Sequence, residues 1–330
     1  MATIHARSKE IHSFFTEKSS EVANNEEMTN MKKKWDDTIN VISTLASVGN
    51  LGSNHIPQEY HLDDVTPTFL QEMVQACEQV IFESLFPGIY VHIGVLESWM
   101  HILNADEKHR GPGSPLRLFL TPNIIPLPML EKGIPDKARM EVFQSSIDVL
   151  LKNYNINNIN KVDLIFIPII KSEHVFLFVF DLKNPSVAII DNMETANQSG
   201  DRYSHIPYIM KDVLTNYLLS KDHPSALKIS NQTPQSIELP WKTTKNGVDC
   251  GIFCMRHMKT YMGGGPKKWN SRLLNESEGQ NKQLNQLRFK YLCKILMSNV
   301  NFLKEDILAL SRKHDEMDEK KKNGQKPLQI

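Results

Sequence analysis

The sequence predicts an α+β fold with a central mixed sheet surrounded by helices. Two patterns predict it. Three short apolar runs, over 162–168, 175–180 and 187–190, are rich in strand formers and bounded by turn or polar residues. On both sides of them lie longer stretches with apolar residues at helical spacing. The strand runs are apolar throughout rather than alternating, which predicts that both faces of the sheet are covered.

In chain order, residues 1–55 read as a polar N-terminal extension, partly disordered or forming isolated helix. Its basic run Lys32-Lys33-Lys34 reads as solvated surface, or alternatively as a nuclear-import signal. The folded body spans 56–310. Thr66-Pro67 opens a helix with proline at its start, and Phe69, Leu70, Met73, Val74, Cys77, Val80, Ile81 and Leu85 form its stripe, which makes Cys77 a core residue. A second helix covers 92–104. The Pro- and Gly-rich stretch 105–139 predicts loop with short strands, and 140–152 is helical again. Residues 181–186 read as a hairpin turn between the second and third strands. A helix follows over 206–220, then strand and loop over 229–239. The next helix runs from Cys250 to about Tyr261, ahead of Gly263-Gly264-Gly265-Pro266. The last helix covers 284–310. Residues 311–330 read as a charged disordered tail.

The chain has 330 residues, enough for a sizeable core, and its 38 basic and 38 acidic residues balance. That balance gives no reason to expect nucleic acid as the main partner. No apolar run is long enough to cross a bilayer, so no membrane is expected. The first ten residues lack the apolar segment of a secretory signal. Four cysteines in no disulfide framework point to a reducing compartment, nucleus or cytoplasm. The expected state is a monomer without cofactor or metal.

Chemistry concentrates in three residues. Asn246-Gly247-Val248-Asp249-Cys250-Gly251 puts a cysteine where a tight polar turn enters an apolar helix. A thiol there meets unsatisfied N–H groups and the positive end of the helix dipole, which favour the thiolate, the nucleophilic form. His174 lies immediately before the second strand and Asp191 immediately after the third. An antiparallel pairing sets those two ends side by side. The carboxylate then orients the imidazole, and the imidazole takes the thiol proton. Each residue also has a plainer reading. A free cysteine is commonly a small buried hydrophobe, a histidine at a strand end is commonly surface, and Asp191-Asn192 would serve as a turn. Zinc is the competing use of Cys250, Cys254 and His257, but no second Cys/His pair with finger spacing follows. Cys254 and Cys293 read as core thiols.

The order His, Asp, then Asn-Gly-x-Asp-Cys-Gly resembles the ubiquitin-like-protein (SUMO-specific, adenain-like) cysteine protease family, in a plant-type member. The resemblance covers about 60–305. It is strongest in Val91 to Asn104 with Trp99 and Leu103-Asn104, in Phe166 to Asn192 with Glu173-His174 and Phe180-Asp181-Leu182, and in Asn246 to Cys254. It implies a papain-like architecture of the adenain type with the nucleophile at a helix N-terminus. It implies Cys250 as nucleophile, His174 as general base and acid, and Asp191 as its orienter. The implied reaction is cleavage after the C-terminal glycine of a ubiquitin-like protein, SUMO-type by expectation, in conjugates or precursors. Two departures stand out. The family roofs its substrate tunnel with Trp directly after the histidine, where this chain has Val175; Gly247 and Gly251 are the other candidate tunnel residues. The family's oxyanion Gln, six residues before the cysteine, is Thr244 here. Reduced activity is therefore expected, and the alternative is a weak or inactive ubiquitin-like-protein binding module derived from a transposon-encoded protease. An acyltransferase on the same scaffold and a relict without selected activity are further alternatives.

Overall fold

In the computed structural model, residues 79–301 are described apart from 123, 172 and 195–202, together with 304, 305 and 308. Those from 79 to 305 lie in one compact unit, Gly52–Asp306. The N-terminal extension, Lys32–Lys34, the start of the first helix with Cys77, and the C-terminal tail lie outside the described residues.

Five strands form one mixed sheet in sequence order: β1 (Arg117–Phe119), β2 (Leu164–Lys171), β3 (His174–Asp181), β4 (Ser186–Ile190) and β5 (Gln235–Ser236). The three central strands pair antiparallel, and the two outer pairs are parallel. The three apolar runs are these central strands. The 181–186 turn is closed by Asp181, whose carboxylate accepts the Asn184 N–H at 2.7 Å. β2 continues past Pro168 to Lys171, beyond where the sequence pattern ends it. Proline is tolerated in a strand where the side its missing N–H would face has no partner strand. β1 covers only Leu164, Ile165 and Phe166, so at Pro168 the strand has one partner, Leu177 in β3.

Both faces of the sheet are covered. On one, α3 (Asp136–Asn153) and α4 (Ile206–Ser220) bury Phe143, Ile147, Leu214 and Tyr217 with Ile165, Ile167, Phe178 and Phe180. On the other, α6 (Cys250–Thr260) packs on β3, and Phe166 stacks on Phe119 and meets Tyr261 edge-on. Before them lie α1 (Gln79–Glu83) and α2 (Ile93–Asp106); α5 (Ala226–Ser230) and α7 (Glu278–Leu296) complete the helices described. α2 is stitched to its neighbours by side chains. Asn104 accepts from the Phe119 N–H and donates to the Phe119 carbonyl, at 2.9 and 2.8 Å, and Trp99 donates to the Met255 carbonyl of α6.

Two elements differ from the sequence reading. Residues 229–239 hold the end of α5 and the two-residue β5, with loop between and after them. The helix read over 284–310 starts at Glu278, because Ser277 caps it by accepting from the Gln280 N–H, and breaks after Leu296; Lys304, Glu305 and Leu308 are helical again.

Candidate active site

The sheet register brings the imidazole and the carboxylate together. Leu177 pairs with Ile190, so the segment leaving β4 runs back along the start of β3. His174 Nε2 and Asp191 Oδ1 are 2.8 Å apart. Asp191 is 1% exposed and His174 is 18% exposed at its side chain. Asp191 also accepts from the Met193 N–H at 2.8 Å and from the Tyr203 hydroxyl at 2.9 Å. The Tyr203 ring packs on Phe176, which in turn stacks on the His174 ring. Ring orientation is thus fixed from both the edge and the face.

The nucleophile turn is drawn to the same end of the sheet. Beyond β4 the chain pairs in parallel with the loop ahead of Cys250: the Thr243 N–H donates to the Asn192 carbonyl at 2.7 Å, and the Glu194 N–H to the Thr243 carbonyl at 3.0 Å. Cys250 is the first residue of α6 and is buried. Its thiol donates to the Glu173 carbonyl at 3.7 Å and hydrogen-bonds the His174 imidazole. Glu173 sits in the turn between β2 and β3 with φ of 62°, a left-handed conformation that costs a residue with a side chain about 1–2 kcal/mol. Asp249 occupies the N-cap position but caps no helix N–H with its side chain. Its carboxylate instead takes Asn246 Nδ2 at 2.6 Å and Arg288 Nε at 2.7 Å. The positive start of α6 is left facing the sulfur rather than a neighbouring carboxylate.

Electrostatics follow from these contacts. Burial of His174 opposes its charge, but the hydrogen bonds to Asp191 and Cys250, and then their charges, outweigh it and raise its pKa from 6.5 to about 9. Burial of Asp191 pushes its carboxyl up, but His174, the Met193 N–H and the Tyr203 hydroxyl bring it below the ordinary carboxylate value. The raised imidazole and the lowered carboxyl together favour an imidazolium–carboxylate pair at His174 and Asp191. Cys254 differs sharply from Cys250: full burial drives its thiol far upward, as expected of a core residue. His257 is buried, accepts from Trp241 Nε1 at 3.0 Å, and is pushed down to about 3, chiefly by that burial. Among the described residues no group of three or more His, Cys, Asp or Glu is placed to hold a metal ion. Cys293 lies half-buried on α7 rather than fully in the core.

A cleft of about 340 Å³ opens at the imidazole, lined by Tyr90, Lys171, Glu173, His174, Phe176, Met193 and Gly247. Of the candidate tunnel residues, Gly247 lines it and two do not. Val175 is 5% exposed within β3. Gly251 is packed against Val91, so closely that an added β-carbon would lie 2.6 Å from the Val91 Cβ. The Thr244 hydroxyl donates to Glu276, which also takes the Thr244 and Lys245 N–H groups and the Thr243 hydroxyl. Tyr90, Met193 and Tyr203 were not singled out from sequence. Tyr90 carried a local signal, an aromatic after Gly88-Ile89 and just ahead of the α2 start; the other two carried none.

A thiol, an imidazole and a carboxylate so ordered, on a mixed sheet with the cysteine at a helix start, define a papain-like cysteine peptidase of the adenain type. Residues 138–292, which contain His174, Asp191 and Cys250, match the model of the Ulp1 protease family, C-terminal catalytic domain. Among solved structures it is similar to the SUMO protease Ulp1 with its catalytic cysteine oxidized to a sulfonic acid (15% identity, 72% of this chain and 99% of that one, TM-score 0.47). It is similar also to the Ulp1 protease domain in complex with SMT3, the yeast ortholog of SUMO (16%, 73% and 99%, 0.47). A third is the Ulp1-like SUMO protease catalytic domain of Chaetomium thermophilum (16%, 69% and 90%, 0.41). No curated protein matches.

Proposed function

We propose that this chain is a cysteine protease that cleaves after the C-terminal glycine of a SUMO-type protein, releasing it from conjugates or maturing its precursor. Cys250 is the nucleophile, His174 the general base and acid, and Asp191 the residue that orients His174. The observation that carries the reading is the 2.8 Å contact between His174 and Asp191 with Cys250 as the imidazole's other partner. In the reaction the sulfur attacks the glycine carbonyl carbon, forming the C–S bond, and the imidazolium gives its proton to the departing amine as the C–N bond breaks. Water then attacks the thioester, the imidazole accepts its proton, and the C-terminal carboxylate leaves as the thiol is restored.

One observation favours a second reading, a binding module with little turnover. Thr244 is committed to Glu276, so the transition-state oxyanion lacks the side-chain donor that relatives place there. The loss of one such donor typically lowers turnover by about 10²–10³-fold. The main-chain N–H groups at the start of α6 remain on that side. A SUMO-type protein with a C-terminal electrophile separates the readings. The protease forms an adduct that Cys250→Ala abolishes; the module binds tightly without one.

A further inference from the structure

Arg288, on α7, is buried to 0% exposure at its side chain, and its donors serve two distant segments. Nε donates to Asp249 Oδ1 at 2.7 Å, and Nη2 approaches the same oxygen at 2.6 Å. Nη1 donates to the carbonyls of Ser84 and Phe86, at 3.1 and 2.8 Å. Nη2 donates to the carbonyls of Ile89 and Val248, at 2.8 and 3.5 Å. Asp249 precedes Cys250, and its other oxygen holds Asn246. Ile89 precedes Tyr90, which lines the cleft together with Gly247 and His174. One planar guanidinium therefore grips both the segment that carries Tyr90 and the turn that carries the nucleophile.

Stability alone gives a weak reason for this residue. A buried charge must recover a large desolvation cost, and apolar side chains of similar volume often stabilise a core as well. What the guanidinium adds is geometry: a rigid fork of five N–H donors that holds several acceptors at fixed separations. We infer that Arg288 is a positioning residue that sets the spacing between the Tyr90 wall of the cleft and the Cys250 turn. It touches neither the substrate nor the reacting atoms. The inference rests on the proposed nucleophile and cleft, and deepens that reading.

Two variants divide the grip. Arg288→Lys keeps a positive charge beside Asp249, but a single ammonium cannot reach the three carbonyls of residues 84–89 as well. Asp249→Asn leaves those carbonyl contacts and loosens the turn. For a fluorogenic SUMO-type substrate, Arg288→Lys raises KM about tenfold, with kcat and the rate of Cys250 alkylation by iodoacetamide held within about twofold. Asp249→Asn does the reverse, lowering kcat and alkylation about tenfold at unchanged KM. A merely structural role moves both parameters together in both variants, in proportion to lost stability, and that result overturns the inference. Hydrogen exchange supplies a readout that needs no turnover: amides of 84–91 speed up in Arg288→Lys and those of 246–250 in Asp249→Asn, while 175–180 stay protected. Equal acceleration everywhere also overturns it. An inactive wild-type chain with the selective exchange pattern sinks the protease reading and leaves the clamp standing. If Arg288→Lys does not fold, Asp249→Asn decides alone, and a rise in its KM rejects the inference.

Discussion

Replacing Gly251 by alanine puts a β-carbon 2.6 Å from the Cβ of Val91 and 3.0 and 3.3 Å from its two methyls, where ordinary contact begins at 3.4 Å. The Val91 Cβ is a branch point bonded to backbone, so no rotamer relieves the clash. Either the start of α6 or the 89–91 segment must retreat by about 0.8 Å, the difference between 3.4 and 2.6 Å. Overpacking of this kind costs about 1–3 kcal/mol, and alanine returns up to about 1 kcal/mol of helix propensity, leaving a net loss of roughly 0–2 kcal/mol. The catalytic effect is larger. Cys250 sits on one side of the contact and Tyr90 on the other, and a misplacement near 1 Å costs about 10²-fold. Gly251→Ala therefore lowers kcat/KM by about 30–100-fold while the unfolding free energy measured in urea falls by no more than about 2 kcal/mol. The assay is release of a fluorophore from the C-terminus of a SUMO-type protein, run beside urea unfolding. Val91→Gly in the Gly251→Ala background removes the offending carbon and restores at least about tenfold of the loss. Wild-type turnover in Gly251→Ala, or no rescue in the double variant, refutes the packing argument.

Other outcomes follow from the same contacts. Asp191→Asn removes the largest support for the His174 charge, so its titration, followed by ring NMR, falls from about 9 toward or below 6.5. Turnover falls about 10²–10⁴-fold in the same variant, and a titration unchanged near 9 contradicts the assignment. Because the folded-state pKa of His174 is raised, its contribution to stability is complete below 6.5 and disappears as pH rises through about 9. The stability difference between wild type and His174→Gln, measured by urea unfolding, accordingly shrinks across that window; growth instead reverses the sign. Tyr203→Phe keeps the ring against Phe176 but removes one donor to Asp191. That single hydrogen bond is worth about 1 kcal/mol, so kcat falls about fivefold, and a change of 100-fold or more would show a role beyond support.

The central sheet was legible because its three runs are apolar at nearly every residue, Asp163 excepted, a pattern that fits strands covered on both faces. The His174–Asp191 contact was legible for a related reason: one hairpin sets both residues, and its register follows from where the two strands end. Cys250 was found from its turn chemistry. The residues that complete the site were hidden because nothing local marks them. Tyr203 reaches Asp191 through a hydroxyl in an irregular segment, and Arg288 lies on a helix, with its partners 39 to 40 and 199 to 204 positions earlier. The partner of Thr244 was hidden as well: Glu276, from the segment ahead of α7, accepts its hydroxyl hydrogen bond. Gly251 looked like a tunnel residue by analogy, yet its lack of a side chain is needed by Val91. The start of α7 was missed although Ser277-x-x-Gln280 matches a capping pattern.

The reading of this chain as a ubiquitin-like-protein protease is tested most directly by a panel of ubiquitin and ubiquitin-like proteins, each carrying a C-terminal electrophile. The account requires a covalent adduct with the SUMO-type probe, mapped to the sulfur of Cys250 and absent in Cys250→Ala and strongly slowed in His174→Gln. Failure of every probe to label Cys250, while iodoacetamide still alkylates it in the folded protein, contradicts the account.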